Sequence, residues 1–279
     1  MNEYRKFPSM NEMRHLLLGF GLLPSLLLAQ SPAPVSVPAD FAAPVVEATF
    51  KLGSGAIGTG FLVHRELPDR ALYFVTVGHA FDDNTSETNL ITLRKRKADG
   101  SYERQEQKIS LRREGKPLWV RNAKHDVAVL RISEPLPVEV PSLPASALAD
   151  EAGLKASGAH VCSPLFVLGY PQGLEADQSG LPVARQGIFS SSPQLPLTTH
   201  PTFLADYNAF KGDSGGPVFI ETTDRRPLIV GIVTEQHYFY YDMAGPDEKH
   251  SVQIPLRVAK VLHAQYVRET LELAAKGGG

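Results

Sequence analysis

One short stretch of this chain combines residues that could perform nucleophilic catalysis. In Lys211-Gly212-Asp213-Ser214-Gly215-Gly216-Pro217-Val218, a serine stands among three glycines and directly follows an acid. Glycine adopts backbone conformations that other residues avoid, and it lets a second chain approach the backbone closely. Attack on a carbonyl requires an exposed hydroxyl and nearby N–H groups aimed at the developing negative charge. Ser214 is therefore the candidate nucleophile.

A serine hydroxyl is a weak nucleophile, so a base and a group that orients the base must come from elsewhere in the chain. His79 follows the apolar run Phe74-Val75-Thr76-Val77-Gly78, and Asp126 precedes the run Val127-Ala128-Val129-Leu130. Histidine has a pKa near 6.5, which suits a general base. If His79 is the base, activity is expected to rise as the pH passes through about 6 to 7. Asp126 would orient the ring of His79 and stabilise its charged form. The order His79, Asp126, Ser214 is one of the three known orders of a catalytic triad.

These motifs resemble those of the trypsin-like serine proteases, whose nucleophile motif is Gly-Asp-Ser-Gly-Gly-Pro. The segments around His79 and Asp126 are similar to the histidine and aspartate motifs of that family, and Gly58-Thr59-Gly60-Phe61-Leu62-Val63 also fits. Ile254-Pro255 before a final helix resembles the bacterial HtrA-like branch, here without a PDZ domain. The resemblance covers roughly residues 42–270. It implies an all-β fold of two antiparallel six-stranded β-barrels of chymotrypsin type, followed by a C-terminal α-helix.

The resemblance also implies an activity, that of a serine endopeptidase that hydrolyses proteins or peptides through an acyl-enzyme and uses no cofactor. The backbone N–H groups of Gly212 and Ser214 would form the oxyanion hole. In trypsin-like zymogens, the acid at the position of Asp213 pairs with an amino terminus created by cleavage. The nearest equivalent here, Val45-Val46, lacks the glycines of such a terminus. The partner of Asp213 is left open, and a chain beginning near Gln30 is expected to be active without further processing.

The same resemblance predicts a primary specificity pocket. Asn208 stands six residues before the nucleophile, where trypsin-like relatives have the residue at the base of the pocket, and Ala209 follows it. The opposite wall is expected at Thr234 and Gln236. An amide cannot neutralise a buried ammonium or guanidinium group, and burying such an ion unpaired is costly. We therefore expect a small or medium uncharged residue, such as Ala, Val or Leu, before the scissile bond.

The sequence leaves several alternatives open. Asp206 could select a basic residue if the pocket loop were shifted by two positions, and His237 could favour a glutamyl residue. The segment Gly212–Gly216 also satisfies Gly-x-Ser-x-Gly, the nucleophile elbow of an esterase-type α/β-hydrolase, although Pro217–Ile220 has the pattern of a strand and not of the helix that this elbow requires. A further alternative is a protease fold that serves as a binding or chaperone module without catalysis.

The composition is that of an ordinary globular protein, with 43% hydrophobic and 21% charged residues among 279. The net charge of −2 gives no electrostatic reason to bind nucleic acid or an anionic membrane. The basic run Arg94-Lys95-Arg96-Lys97 lies on a hairpin predicted from Asp99-Gly100, and we interpret it as a solvated edge. Cys162 is the only cysteine, so no disulfide can form within the chain. The remaining histidines show no metal-ligand spacing, so no metal site is expected.

Residues 1–29 are predicted to be a signal peptide, because basic residues precede a 14-residue apolar run at 16–29. A membrane span needs about 20 residues, so membrane attachment is expected only if this segment stays uncleaved. The chain is thus expected to be exported by a bacterium, to the periplasm or the medium, while the sequence predicts no oligomeric state. The other expected parts are a proline-rich tether at 30–44 and a protease domain at 45–275, divided into a first barrel at about 45–132, a link at about 133–160, a second barrel at about 161–254 and a helix at about 256–273.

Overall fold

The computed structural model describes residues 40–53, 57–66, 71–192, 195–244 and 249–277, with the backbone alone for 242–244 and 249–250. The predicted signal peptide and residues 30–39 of the predicted tether lie outside the described residues. No helix in the described part of the chain has the length and hydrophobicity that a membrane span requires.

The first lobe is built on one mainly antiparallel sheet. Its strands are β1 (Thr49–Leu52), β2 (Gly58–His64), β3 (Leu72–Thr76), β4 (Thr88–Arg96), β5 (Tyr102–Ser110), β8 (Trp119–Arg121), β9 (Ala128–Ile132) and β10 (Leu143–Pro144), and a separate small ribbon is formed by β6 (Arg112–Arg113) and β7 (Lys116–Pro117). The sheet order is β5-β4-β1-β2-β3-β9-β8, and β10 pairs in parallel with β2. Because the short β8 and β10 join it, this sheet has eight strands and not the predicted six.

The second lobe is a closed barrel. Its strands are β11 (Pro164–Gly169), β12 (Val183–Phe189), β13 (Thr202–Asp206), β14 (Pro217–Glu221), β15 (Pro227–Ala244) and β16 (Lys249–His263). They close in the order β11-β12-β13-β16-β15-β14, with every neighbour antiparallel. The helix α4 (Ala264–Ala275) follows. The predicted fold class, mainly β with a six-stranded barrel and a C-terminal helix, is confirmed.

The predicted start of the C-terminal helix is wrong. Residues 256–263 belong to β16, and α4 begins only at Ala264. The apolar residues Val258, Val261 and Leu262 are spaced as on one helical face, but the strand that contains them pairs with β13 on one side and β15 on the other. Pairing on both sides satisfies the backbone groups of this segment, and tertiary structure therefore overrides the local pattern. The barrel extends to His263 instead of ending near 254.

The predicted start of the first barrel, at about residue 45, also needs correction. Residues Ala43–Ala48 form the helix α1, and β1 begins at Thr49. Pro44 occupies the first helical turn, where its fixed backbone angle is favourable and its missing N–H costs nothing. Val45 and Ala48, one turn apart, are both fully buried in the core. The predicted tether thus ends in a helix, while the link at 133–160 contains β10 and the helix α3 (Glu151–Ala156).

The hairpin of β4 and β5 is confirmed, but its basic run is not entirely solvated. Lys95, Arg96 and Lys97 are exposed, whereas Arg94 is only 3% exposed. Its guanidinium donates hydrogen bonds to five oxygens, the carbonyls of Val46, Glu47, Thr49 and Gly180 and the hydroxyl of Tyr170. Successive side chains of β4 point to opposite faces, so Arg94 lies on the face away from Leu93, where the carbonyl end of α1 is a favourable site for a cation.

One hydrophobic cluster joins the two lobes. It contains Phe61 and Val129 from the first sheet, Phe219 and Ile232 from the barrel, and Val267 from α4, together with their buried neighbours. Burial of this area fixes the lobes against each other, at roughly 25 cal/mol for each Å² of apolar surface removed from water. The ends of β3, β9 and β14 are held in fixed relation as a result.

Candidate active site

Asp126 and His79 meet at one end of the first sheet. His79 lies in the short helix α2 (Gly78–Asp82), directly after β3, and Asp126 lies just before β9. Thr76 pairs with Ala128, so the two segments leave the sheet side by side. Asp126 Oδ2 lies 2.6 Å from His79 Nδ1, and Asp126 Oδ1 accepts the backbone N–H of His79 at 3.0 Å. This double contact assigns the proton to Nδ1 and leaves Nε2 as an acceptor.

The electrostatics of the pair favour a charged imidazole. The hydrogen bond to Asp126 raises the pKa of His79 above its ordinary value, although partial burial opposes this shift. Burial alone would raise the pKa of Asp126, but the hydrogen bonds and the charge of His79 outweigh it, and that pKa is lowered. Arg121 Nη2, 3.6 Å from Asp126 Oδ1, adds to the lowering. The site therefore holds an ionised carboxylate against a ring that accepts a proton readily.

Ser214 lies across from this pair, in the loop of the second lobe that joins β13 to β14. Its backbone carbonyl accepts the N–H of Thr59 at 2.9 Å, and the next residue, Gly215, donates to Val233 at 2.8 Å. His79, Ser214 and Gly212 line one cavity of about 520 Å³. In the described part of the chain, the Ser214 hydroxyl makes no hydrogen bond to His79. Ser214 leads into strand β14 and not into a helix, so the segment is not an α/β-hydrolase elbow.

Gly212, the predicted oxyanion donor, has a backbone conformation that only glycine adopts easily. Its φ is +100°, and a Cβ at this position would collide with the carbonyl oxygen of Tyr170. The carbonyl of Lys211 accepts the N–H of Gln172 at 2.6 Å. Because the C=O and N–H of a trans peptide point in opposite directions, the N–H of Gly212 points away from Gln172.

Asp213 has the cationic partner that the sequence did not reveal. Its side chain is 1% exposed, and the guanidinium of Arg185 on β12 contacts both carboxylate oxygens, at 2.8 Å and 2.5 Å. The N–H of Phe210 also donates to Asp213, at 2.8 Å. Val45, the nearest candidate for a freed terminus, is buried inside α1. The only sequence signal was the acid itself, since a buried carboxylate requires a partner, but no motif marks Arg185.

The structure brings together some of the predicted pocket residues. The side-chain amide of Gln236 donates to the carbonyl of Ala209, and its oxygen accepts the hydroxyl of Tyr238 at 2.6 Å. Thr234 instead donates to the carbonyl of Lys260 at 3.1 Å. The side chain of Asn208 is exposed, and its backbone carbonyl accepts from Arg185 at 3.0 Å. Gln236 therefore contacts Ala209 across the expected pocket, whereas Asn208 contributes a contact through its backbone carbonyl.

Within the described residues, no group of three or more His, Cys, Asp or Glu side chains is arranged to hold a metal ion. The cavity between the lobes brings together the hydroxyl of Ser214, the ring of His79 and the backbone of Gly212, and Asp126 contacts the ring of His79 at Nδ1. Such a set suits acyl transfer, in which a nucleophile, a base and hydrogen-bond donors for an oxyanion act together.

The chain is similar to known proteins in both sequence and structure. The model of the family described as "Trypsin-like peptidase domain" matches residues 58–232, more than half of the 279 residues. A solved structure, described as the crystal structure of the Rv3671c protease in its inactive form, is similar with a TM-score of 0.48 and 20% identity, over 90% of this chain and 98% of that chain. No match was found among curated proteins.

The contact between Asp126 and His79 predicts a pH profile. We expect kcat/KM for a fluorogenic peptide to rise with pH as His79 loses its proton, with a midpoint above the ordinary value of about 6.5. Asp126→Asn should shift the midpoint to lower pH and reduce kcat by about 10³- to 10⁴-fold. Asp83→Asn is the control, because this exposed acid acts on His79 only through its charge and should shift the midpoint less. An unchanged midpoint in Asp126→Asn would contradict the assignment.

The pairing of Arg185 with Asp213 predicts a second outcome. Arg185→Gln leaves a buried carboxylate unpaired, so we expect a loss of roughly 3–5 kcal/mol in the free energy of unfolding, measured in urea. Peptide hydrolysis should fall at least tenfold, because the loop that contains Ser214 is no longer fixed. Arg268→Gln removes a partly exposed ion pair with Asp150 and a hydrogen bond to the Leu148 carbonyl, and should cost less than about 1 kcal/mol. Equal losses in the two variants would show that Asp213 does not depend on Arg185.

Proposed function

Because this chain belongs to the trypsin-like peptidase domain family and is therefore a serine protease, we propose that it is an endopeptidase that works through an acyl-enzyme formed on Ser214. Ser214 is the nucleophile, His79 the general base and Asp126 the residue that orients His79. The backbone N–H groups of Gly212 and Ser214 bind the oxyanion. The substrates are proteins or peptides.

The observation that supports these roles best is the geometry of His79. With Asp126 Oδ2 2.6 Å from Nδ1, the opposite nitrogen, Nε2, remains free to accept a proton in the cavity that it shares with Ser214. As the Ser214 oxygen bonds to the substrate carbonyl carbon, its proton moves to Nε2. That proton then passes to the leaving amine as the peptide C–N bond breaks, and the acyl-enzyme remains. Water repeats the sequence, losing its proton to His79, and releases the acid and the serine.

The negative charge on the substrate oxygen needs donors that are already oriented. The N–H of Gly212 points away from Gln172 because the preceding carbonyl bonds to that residue at 2.6 Å. One such donor is typically worth about 10²- to 10³-fold in rate. The ion pair of Arg185 and Asp213 fixes the loop that contains Ser214, and no freed amino terminus is needed for this. The pair therefore supports activity without a further cut in the chain.

Export of the chain is part of the proposal. It is supported by the basic residues and the apolar run at 16–29, a pattern typical of secretory signals. The single cysteine, Cys162, is compatible with an oxidising compartment, because the chain has no second thiol with which to form a disulfide.

Replacement of the nucleophile tests the proposed function. Ser214→Ala should reduce peptide hydrolysis by at least 10³-fold, whereas the thermal unfolding midpoint should stay within a few degrees of the parent, because only one hydroxyl is lost from a cleft. Ser146→Ala is the matched control. It removes an exposed hydroxyl at a position distant from Ser214 in the sequence and should retain full activity. Hydrolysis by Ser214→Ala within tenfold of the parent would contradict the proposal.

The position of Gln236 predicts how specificity can be changed. In the parent we expect Ala, Val or Leu before the scissile bond, because the Gln236 side chain lies across the gap toward Ala209. Gln236→Gly should open the gap and raise the preference for Phe over Ala at least tenfold, the scale on which pocket volume acts. Glu235→Gln, at an exposed neighbouring position, should leave that preference unchanged. A fluorogenic library varying this one residue measures both, and a tenfold preference of the parent for Arg or Lys would contradict the pocket assignment.

A further inference from the structure

Thr59 contacts the backbone on both sides of the nucleophile loop. It lies near the start of β2 and is fully buried. Its N–H donates to the carbonyl of Ser214 at 2.9 Å, and its own carbonyl accepts the hydroxyl of Thr76 at 2.7 Å. Its side-chain hydroxyl donates to the carbonyl of Gly212 at 2.7 Å and accepts the N–H of Tyr170 at 3.2 Å. One residue of the first lobe thus holds three backbone groups of the second.

The hydroxyl contact acts on the peptide units around the oxyanion donor. The unit before Gly212 is fixed by the bond from Gln172 to the Lys211 carbonyl, and the unit after it is fixed by the bond from Thr59 to the Gly212 carbonyl. The N–H of Asp213, in the same peptide unit as the Gly212 carbonyl, also donates to the carbonyl of Phe210 at 3.1 Å. With a φ of +100°, Gly212 has no side chain to limit its rotation, so these three bonds orient the peptides on either side of it. Without the Thr59 bond, the unit after Gly212 is held only by the 3.1 Å bond of Asp213, and Gly212 can turn more freely.

We propose that Thr59 is a positioning residue of the reaction, whose hydroxyl holds the N–H of Gly212 in the direction that the oxyanion requires. This inference rests on the proposed function. Thr59 does not touch the substrate; it acts through Gly212. The hydroxyl is suited to this task because it donates to the carbonyl of Gly212 and accepts the N–H of Tyr170, so a single side chain sets the distance between these two segments of the second lobe.

Tyr170, whose N–H binds the Thr59 hydroxyl, is itself fixed by buried hydrogen bonds of its side chain. The hydroxyl of Tyr170 donates to the carbonyl of Gly180 at 2.9 Å, and Arg94 binds the same carbonyl at 2.9 Å. Tyr170 and Arg94 are almost entirely buried. The backbone N–H that the Thr59 hydroxyl accepts therefore belongs to a segment, at Tyr170, that is itself held in place. Through the same hydroxyl, Thr59 fixes the carbonyl of Gly212 relative to that segment.

The test compares two substitutions at Thr59 that differ in the hydroxyl. Thr59→Val keeps the branched shape and removes the hydroxyl, and Thr59→Ser keeps the hydroxyl and removes a methyl group. We expect kcat for a peptide to fall about 10- to 10³-fold in Thr59→Val with KM changed less than threefold, because a donor used in the transition state is displaced. Thr59→Ser should keep kcat within about threefold of the parent. The midpoint of the pH profile should be the same in all three, since His79 is untouched.

Controls separate this role from a general loss of stability. Thr270→Val removes another fully buried hydroxyl, on α4, and should leave kcat unchanged. If Thr59→Val is not folded at the assay temperature, Thr59→Cys, whose thiol is a weak donor, replaces it with the same expectation. Amide hydrogen exchange of segment 210–216 should be faster in Thr59→Val than in the parent or Thr59→Ser, which tests the contact without turnover. A parent no more active than Ser214→Ala would overturn the proposed function, whereas an active parent with equal kcat in Thr59→Val, or equal losses in Thr59→Val and Thr59→Ser, would overturn the role of Thr59.

Discussion

A carboxylate buried directly before the nucleophile is the constraint on which the nucleophile loop depends. Asp213 is 1% exposed, and an ion at such a depth is stable only when it is paired and hydrogen-bonded. Arg185 supplies two parallel contacts and the N–H of Phe210 a third. The pair also limits its surroundings, since a Cβ on Gly169 would lie 2.7 Å from the carboxylate. The loop from 208 to 216 is therefore folded around one internal ion pair, and the conformation that presents Ser214 is built into the chain.

The candidate site exists only where the two lobes meet. His79 and Asp126 belong to the first lobe, and Ser214 and Gly212 belong to the second, so docking must be accurate to a fraction of an ångström for acyl transfer to work. Apolar packing among residues such as Phe61, Phe219 and Val267 supplies the attraction between the lobes. Directional contacts, above all those of Thr59, set the register, because hydrogen bonds depend on geometry far more steeply than apolar burial does.

The sequence predicted those parts of the molecule whose signal is local. The motifs around Ser214, His79 and Asp126, the hairpin of β4 and β5, and the strand that begins at Pro217 could be recognised from short runs of residues. Features that depend on contacts between residues distant in the sequence could not be recognised in this way. Arg185 lies 28 residues from Asp213, and Thr59 lies 153 residues from Gly212. The strand at 256–263 was mistaken for a helix for the same reason, because its pairing with two other strands is invisible in its own pattern.

The internal ion pair is tested most directly by titrating Ser214 in the intact chain with a fluorophosphonate, followed by mass spectrometry of the whole protein and of its peptides. The reagent phosphonylates a serine only when the base and the oxyanion donors are already in place. Because Arg185 neutralises Asp213 within the chain, the expected result is close to one adduct per chain, on Ser214, with no cut anywhere near Val45. Labelling that occurs only after proteolysis creates a new amino terminus, or that falls on another residue, would contradict it.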